Sequence, residues 1–194
     1  MLICADRAEA HWLKAKAGAR ERAGAIYLLG SGHNLAEDYP AAIAAYREAV
    51  AIWRSLDRES MDIAIGLNAL ADAERSSGDF DAAERDFREA LRIARAVAYH
   101  EGIAYITNNQ AALALHREDW PGAEALAREA LPLIEDLGRL ELIGSTCHHL
   151  ANALVRQGNK DEALPHARRA VEICQKLGSP ELTKAQQTLA ECER

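Results

Sequence analysis

The chain has 194 residues, of which 49% are apolar and only 5% aromatic, and its 30 acidic and 23 basic side chains give a formal net charge of −7. Its 40 alanines, together with many other good helix formers, indicate an all-helical protein. The length allows one domain or one continuous array with a sizeable core. The negative charge argues against a nucleic-acid surface, which needs an excess of Lys and Arg.

The amino-terminal sequence and the cysteines exclude further classes of protein. No apolar stretch approaches the roughly 20 residues of a membrane-spanning helix. The start, from Met1 to Asp6, reaches a charge too soon for a signal peptide. The four cysteines, at positions 4, 147, 174 and 192, form no CxxC pair and are typical of reduced thiols. We therefore expect a cytoplasmic protein that does not associate with membranes.

In chain order, the sequence predicts pairs of helices, because one segment recurs four times. Each copy has an Asp or Asn, an alanine four residues later and a second alanine seven residues after that. Successive copies are shifted by 41, 40 and 40 residues, which indicates an internal repeat. The four copies comprise Asp38, Ala42 and Ala49; Asp79, Ala83 and Ala90; Asp119, Ala123 and Ala130; and Asn159, Ala163 and Ala170.

Each feature that recurs in the four copies has a physical role. The Asp or Asn caps the first turn of a helix, and Pro40 and Pro121 lie just inside that start, where a missing N–H costs little. The alanines fall on one helical face, where a small side chain lets a neighbouring helix approach closely. Another helical stretch with its own small residue precedes each turn. Each repeat is therefore predicted to be two antiparallel helices, A and then B. The small residues of helix A are Gly30, Ala71, Ala111 and Ala151.

These residues resemble the tetratricopeptide repeat, whose pattern places a large apolar residue, Leu and a small residue on helix A, and Ala-x3-aromatic on helix B. The first repeat has Ile26, Leu29 and Gly30, followed by Ala42 and Tyr46. The corresponding residues are Leu67, Leu70, Ala71, Ala83 and Phe87 in the second repeat, Thr107, Gln110, Ala111, Ala123 and Ala127 in the third, and Cys147, Leu150, Ala151, Ala163 and Ala167 in the fourth.

The resemblance covers nearly the whole chain and implies an all-α, right-handed superhelical solenoid of antiparallel helix pairs. The period of 40–41 residues exceeds the usual period of about 34, and the proline that ends helix B in the family is missing. Helix B instead continues to Leu56, Val97, Leu137 and Leu177. This longer form is similar to the repeats of bacterial signal-transduction regulators and of kinesin light chains. We expect looser packing where Thr107 and Gln110 replace apolar residues.

The predicted layout has about ten helices. Ala8 and Trp12 match Ala49 and Trp53, so residues 1–17 are predicted to form a helix B without its helix A. Ser179 and Pro180 are predicted to cap and open a final helix. Because an array that begins with a helix B lacks an ordinary cap, we expect the chain to be part of a longer protein. The four repeats span 18–57, 58–98, 99–138 and 139–178, and the final helix A lies within 179–194.

The resemblance also implies a binding face, because the A helices of such arrays line a concave groove that holds a peptide or a partner's helix. One row of that groove consists of neutral hydrogen-bonding groups, which suit a peptide backbone. Tyr27 and Tyr105 are predicted to act as apolar anchors. The row contains Tyr27, Asn68, Asn108, His148 and Gln187, and neighbouring positions add Asn34, Arg75, Tyr105, His116, Asn152 and Arg156.

The sequence predicts no catalytic residue, metal site or cofactor. Adjacent residues on a helix point about 100° apart, so Cys147, His148 and His149 cannot easily share one metal. Cys147 occupies an apolar position and is predicted to be a buried, inert thiol. The pairs Glu84–Arg88 and Glu124–Arg128 are spaced i, i+4, which indicates surface ion pairs. Trp12, Trp53 and Trp120 are predicted to belong to the core.

We therefore predict a non-catalytic module that binds a protein or peptide, as the sensor or scaffold region of a larger bacterial regulator. Binding of RNA is disfavoured by the acidic balance. A clamp for a carboxyl terminus, as in chaperone-binding members of the family, is disfavoured because the early A helices have few cations besides Arg75. Two alternatives stay open. One is a small-molecule sensor or an enzyme with a closed apolar pocket inside the superhelix, and the other is a module that associates with itself.

Overall fold

The computed structural model describes the chain from residue 18 to residue 194. Within these residues all regular structure is α-helical. The predicted helix B of residues 1–17 lies outside them. The described helices are α1 (Ala19–Leu35), α2 (Tyr39–Leu56), α3 (Met61–Ser77), α4 (Phe80–Ala96), α5 (His100–His116), α6 (Trp120–Leu137), α7 (Leu140–Arg156), α8 (Lys160–Leu177) and α9 (Leu182–Cys192).

Odd-numbered helices are the predicted A helices and even-numbered ones the B helices. Three of the four B helices begin at a capping aspartate. An Oδ1 atom accepts a hydrogen bond from the backbone N–H three residues later, at 3.3 Å for Asp38, 3.1 Å for Asp79 and 3.0 Å for Asp119. Asn159 precedes α8 but makes no such side-chain hydrogen bond, so the cap that the sequence predicts there is wrong.

The final helix begins later than predicted. The structure starts α9 at Leu182, two residues after Pro180, and Pro180 lies in a turn. The Ser179 hydroxyl accepts a hydrogen bond from the Glu181 N–H at 3.2 Å, which satisfies a backbone donor of that turn and not of the helix. Ser179 is therefore a turn residue rather than the predicted helix cap.

All four A–B turns share one backbone geometry. The residue before each capping position has a positive φ, and the N–H of the capping residue donates to the carbonyl five residues earlier at 2.9–3.0 Å. This is the hydrogen bond of a Schellman turn, which satisfies a carbonyl at the end of helix A. The positive-φ residues are Glu37 (59°), Gly78 (90°), Glu118 (59°) and Gly158 (82°).

The difference between a 41-residue and a 40-residue shift arises in the connection between α2 and α3. That connection spans residues 57–60 and ends at Ser60, whose hydroxyl accepts from the Ile63 N–H at 3.4 Å and caps α3. The corresponding connections of the later repeats contain residues of positive φ, Ala98 and Gly138. The α2–α3 connection has four residues, against three (97–99) and two (138–139) in the later repeats, so the additional residue of the first shift lies between two helices.

The chain forms two compact units, and each is a stack of antiparallel helix pairs. The first unit extends to Gly102 and the second runs from Ile103 to Arg194. In the first unit α1 packs on α2, α2 on α3 and α3 on α4, and α1 also touches α3. In the second unit α6 packs on α7, α7 on α8 and α8 on α9, and α7 also touches α9. This successive packing confirms the predicted all-α solenoid of helix pairs.

Small residues make the close helix contacts possible. The eight repeated alanines of the B helices are all 0% exposed. A Cβ atom on Gly30 would lie 2.8 Å from the Tyr46 ring, and one on Gly66 would lie 2.7 Å from a methyl group of Val50. Such separations are far shorter than a normal contact, so a side chain at either position would push the neighbouring helix away.

The other residues predicted to lie in the core differ in how far they are buried. Trp53 is 6% exposed and Cys147 is 0% exposed, so both belong to the core as predicted. Trp120 is only half-buried, and Trp12 lies outside the described residues. Thr107 is 0% exposed and donates from its hydroxyl to the Ile103 carbonyl at 2.8 Å. A polar residue therefore fills an apolar position there by bonding to its own helix.

Candidate partner-binding faces

The predicted binding residues divide between the two units. We call the set in each unit its A face, since all of these residues lie on A helices. The first A face consists of Tyr27, Asn34, Asn68 and Arg75, on α1 and α3. The second A face consists of Tyr105, Asn108, His116, His148, Asn152, Arg156 and Gln187, on α5, α7 and α9.

Tyr27 is the apolar element of the first A face. It is half-buried, and its ring centroid lies 5.4 Å from that of Tyr46 and 5.9 Å from that of Trp53. Burial raises the pKa of Tyr27, so the phenol stays neutral. The Ser31 hydroxyl donates to the Tyr27 carbonyl at 3.1 Å and accepts from the Tyr46 hydroxyl at 3.3 Å. The aromatic cluster is thus fixed by hydrogen bonds at its edge.

The polar residues of the first A face carry little net charge. Arg75 donates from Nη2 and Nε to one oxygen of Asp72, at 2.6 and 3.2 Å. Asn34 and Asn68 are half-buried, and Oδ1 of Asn34 is buried without a hydrogen-bond partner. This face therefore combines a neutralised ion pair with two amides. The sequence identified Arg75 but not Asp72 as its counter-ion, although their i, i+3 spacing was a usable signal.

In the second A face, Asn108 belongs to an internal hydrogen-bond network. Asn108 is 3% exposed, and its Oδ1 accepts from the Thr146 hydroxyl at 2.8 Å. The Nδ1 atom of His149 lies 3.1 Å from the same oxygen. This arrangement joins α5 to α7, so the amide is engaged within the unit. Sequence reasoning missed Thr146 and His149 because both lie 38 or more residues from Asn108.

His148 is also largely interior, with 9% of the residue exposed. Its Nδ1 atom is buried and has no hydrogen-bond partner, and its ring centroid lies 6.0 Å from that of His149. Burial lowers the pKa of His148, and the charge of Lys184 lowers it further. The imidazole is therefore neutral near pH 7 and retains unused hydrogen-bonding capacity.

The remaining residues of the second A face reach the surface. Asn152 is half-buried, and His116, Arg156 and Gln187 are exposed. Tyr105 is half-buried, with the Arg139 guanidinium 5.9 Å from the centre of its ring. Nη1 of Arg156 lies 3.3 Å from a carboxylate oxygen of Glu191. This face thus contains one aromatic ring with a cation over it and several accessible polar groups.

The A helices differ from the B helices in their buried polar atoms that lack a hydrogen-bond partner. Among the described residues, four buried side-chain nitrogen or oxygen atoms lack a hydrogen-bond partner, and all four lie on A helices. Charged side chains of the B helices form ion pairs, including the predicted Glu84–Arg88 and Glu124–Arg128 pairs at 2.5 and 2.8 Å. The unsatisfied atoms are Asn34 Oδ1, Glu74 Oε2, Gln110 Oε1 and His148 Nδ1.

B helices of successive repeats are also joined to one another. In the second unit, Arg128 of α6 lies 2.6 Å from Glu162 of α8, and Glu135 of α6 pairs with Arg169 of α8. In the first unit, Arg54 of α2 lies 4.0 Å from Glu89 of α4. These ion pairs link charged side chains of one B helix to those of the next B helix.

Among the described residues, the buried thiol of Cys147 is not activated as a nucleophile. Burial raises the pKa of Cys147 to about 11, so its thiol is protonated and a poor nucleophile at neutral pH. Residues 18–194 contain no group of three or more His, Cys, Asp or Glu placed to hold a metal ion. None of the helices in that range is long and apolar enough to cross a membrane.

One open cavity of about 520 Å³ lies in the second unit. Its lining consists of Val155, Arg156, Lys160, Glu191 and Arg194. Four of these five residues are charged. The cavity therefore differs from the closed apolar pocket that the small-molecule alternative requires.

Solved structures of similar fold come from proteins of several kinds. BtubC (BKLC) from P. vanneervenii is 20% identical, with a TM-score of 0.79 over 98% of this chain and 81% of that one. The Rap conjugation gene regulator of plasmid pLS20, solved in complex with the Phr* peptide, is 19% identical, with a TM-score of 0.81 over 95% of this chain and 51% of that one. Aspartyl phosphate phosphatase F from Bacillus subtilis is 15% identical, with a TM-score of 0.78 over 97% and 48%. The chain thus spans about half the length of the last two proteins.

The comparison with curated proteins gives no match. The family model described as tetratricopeptide repeat matches residues 21–96 and 102–176, which together are well over half of the chain. These two segments contain the four repeated turns and the small residues of the A helices on which the sequence resemblance depends. The chain therefore belongs to the tetratricopeptide repeat family.

Proposed function

We propose that the chain is a non-catalytic interaction module that binds a protein or peptide segment on the A faces of its two units. The observation that carries the proposal is the location of unsatisfied hydrogen-bonding groups. Among the described residues, buried side-chain polar atoms without a hydrogen-bond partner lie on A helices, and two of them, Asn34 Oδ1 and His148 Nδ1, belong to the A faces. Since buried polar atoms without partners are costly, a ligand that reaches such a face gains more there than on the B helices.

Backbone amides are the chemistry that fits these faces best. The first A face offers two asparagine amides and an Asp72–Arg75 pair, each of which supplies both a donor and an acceptor. Tyr27 adds a half-buried aromatic ring beside them. A short extended segment with one apolar side chain satisfies this combination. Micromolar affinity, about −8 kcal/mol, is ordinary for such a contact.

The similar fold of the plasmid regulator supports a peptide as the ligand, since that protein was solved with a peptide bound. The role of a sensor or scaffold region in a larger bacterial regulator is part of the proposal. A cytoplasmic location stays a prediction. So do the small-molecule and self-association alternatives, which ligand-dependent melting and light scattering over a concentration series distinguish.

The test is affinity capture from the source organism's lysate with three versions of the chain, read by mass spectrometry. The first version is wild type, and the second carries Asn34→Ala, Asn152→Ala and Gln187→Ala. Asn108 is left unchanged, since removing that internal amide would damage the fold. The third version, a matched control, carries Glu172→Ala and Gln175→Ala on exposed positions of α8, a B helix.

We expect a partner that wild type and control retain and that the folded A-face variant loses. Circular dichroism verifies that all three versions fold alike. A partner that the A-face variant retains and the B-helix control loses would contradict the proposal.

A further inference from the structure

Three ionisable side chains lie on three successive helices of the first unit. Glu74 of α3 is 1% exposed, and Arg47 of α2 donates from Nη2 to its Oε1 at 2.7 Å. Asp86 of α4 is the third member, because its carboxyl group and that of Glu74 influence each other's pKa. None of these residues belongs to an A face, and the proposed function does not use them.

The carboxyl group of Glu74 has one satisfied oxygen and one unsatisfied oxygen. Oε1 accepts from Arg47, whereas Oε2 is buried and receives no hydrogen bond. A buried carboxylate oxygen without a donor is costly, but a protonated carboxyl oxygen is itself a donor. A proton on Oε2 would let Glu74 donate a hydrogen bond to Asp86 while Oε1 still accepts from Arg47.

The surrounding groups decide which carboxyl group holds the proton. Burial raises the pKa of Glu74 to about 7, and the charge of Asp86 contributes in the same direction. Burial also raises the pKa of Asp86, but the hydrogen bond from Glu74 and three arginine charges oppose that rise. These contributions favour the proton on Glu74 and the negative charge on Asp86. The three arginines are Arg47 and Arg54 of α2 and Arg85 of α4.

We propose that Glu74, Asp86 and Arg47 form a proton-dependent lock in the first unit, in which one proton between the two carboxyl groups joins α3 to α4. Loss of that proton places two carboxylates in contact with each other. Arg47 is 60% exposed, so solvent weakens its compensation of the added charge. Mutual repulsion then loosens α3 and α4.

The direction of the pH effect follows from the raised pKa of Glu74. The folded chain retains a proton that the unfolded chain releases above pH 4.5, the ordinary value of a glutamate. The lock is therefore complete below about pH 4.5 and is lost as the pH rises through about 7. The first unit is held most tightly on the acidic side of neutrality and becomes looser on the alkaline side.

Hydrogen exchange of the whole chain, read by mass spectrometry on peptides from α3 and α4, tests the lock. Between about pH 5.5 and pH 8.5 we expect wild-type protection, corrected for the intrinsic rate, to fall about tenfold or more, since one pKa unit corresponds to a factor of ten. Glu74→Gln keeps both hydrogen bonds, because its carbonyl accepts from Arg47 and its amide donates to Asp86. That variant is expected to lose the pH dependence. Glu84→Gln, which removes a surface carboxylate of α4, is expected to behave like wild type.

A second measurement keeps the proposal testable if Glu74→Gln folds poorly. Carbon-detected NMR of labelled glutamate side chains follows the Glu74 carboxyl group directly, and we expect it to titrate near 7. In Asp86→Asn the new amide donates to an ionised Glu74, so the titration moves well below that value. A wild-type Glu74 that titrates near 4.5, or a pH dependence that Glu74→Gln leaves unchanged, overturns the lock.

Discussion

Two of the four A–B turns place a glutamate in the left-handed region of backbone space. Glu37 and Glu118 both have φ near 59°, whereas the equivalent positions are occupied by Gly78 and Gly158. An L-residue with a side chain is strained there, while glycine is not. All four turns have the same backbone hydrogen bond, so the two glycine turns are unstrained references for the two glutamate turns.

We expect Glu118→Gly to stabilise the protein by up to about 1 kcal/mol through relief of this strain. Gly158→Ala introduces the same strain and is expected to cost about 1 kcal/mol. Denaturant unfolding of both variants measures the changes. If Glu118→Gly is as destabilising as Gly158→Ala, the positive φ of Glu118 is not a source of strain.

The burial of Asn108 and His148 could not be predicted from the sequence. The repeat places Asn108 and His148 in one row, and both do lie on A helices. Their burial depends on partners elsewhere, since Thr146 turns the Asn108 amide inward and His148 is enclosed near Lys184. A periodic pattern assigns a helix position, but the exposure of that position depends on side chains from other helices.

At the scale of the helix, the capping residues give a matched comparison. Asp119 caps α6 with a side-chain hydrogen bond of 3.0 Å, and Asn159 precedes α8 without one. We expect Asp119→Ala to cost about 1 kcal/mol of unfolding free energy. Asn159→Ala is expected to change it by a few tenths of a kcal/mol at most. Equal losses in calorimetry or denaturant unfolding would contradict the difference between the two turns.

Helix contact distance provides a second prediction at this scale. In Gly30→Ala the new methyl group meets the Tyr46 ring at 2.8–2.9 Å and Ala45 Cβ at 3.2 Å. We expect a net loss of about 1–2 kcal/mol, because the overlap exceeds the roughly 1 kcal/mol gain in helix propensity. The control is Ser76→Ala on the exposed end of α3, where no contact opposes the better helix former. An increase in unfolding free energy for Gly30→Ala would show that α2 moves away without cost.

Most helix bounds could be predicted from the sequence, and the reasons are local. The B helices end at Leu56, Ala96, Leu137 and Leu177, at or within one residue of the predicted ends. The start of α9 could not be predicted, because Ser179 bonds to a turn N–H rather than to the helix. A serine before a proline is compatible with either arrangement, and only the tertiary position of the backbone selects one.

At the scale of the whole molecule, the two units are expected to respond to pH in opposite directions. Burial lowers the pKa of His148 in the second unit, so its folded form stays neutral when the unfolded chain, with an ordinary value of 6.5, takes up a proton. The stability of the second unit is therefore expected to fall as the pH drops below about 6.5. The first unit is expected to weaken in the other direction, through Glu74.

Hydrogen exchange on peptides from α7 at about pH 5 and pH 7 measures this effect. His148→Gln is expected to reduce the loss of protection at the lower pH, but not to abolish it, since burial lowers the pKa of His166 as well. His116→Gln, at an exposed position, is the control and is expected to match wild type. Identical acid responses in wild type and His148→Gln would contradict the assignment to His148.

The repeat period predicted the architecture because helix pairing is local, with partners adjacent along the chain. The partition into two units and the hydrogen-bond networks within them could not be read from the period. The Arg47–Glu74–Asp86 cluster joins residues that are 27 and 12 positions apart, and none of the three is a repeated key residue. Sequence alone therefore assigned the predicted binding residues to A helices, but could not show which of those residues are exposed.

The most direct test of the account is a hydrogen-exchange footprint of the chain with its captured partner, compared with the chain alone. We expect slowed exchange in peptides from A helices, α1 and α3 in the first unit or α7 and α9 in the second. Peptides from the B helices α2, α4, α6 and α8 are expected to exchange at unchanged rates. Protection confined to the B helices, with the A helices unaffected, would contradict the central claim that this protein binds its partner through its A faces.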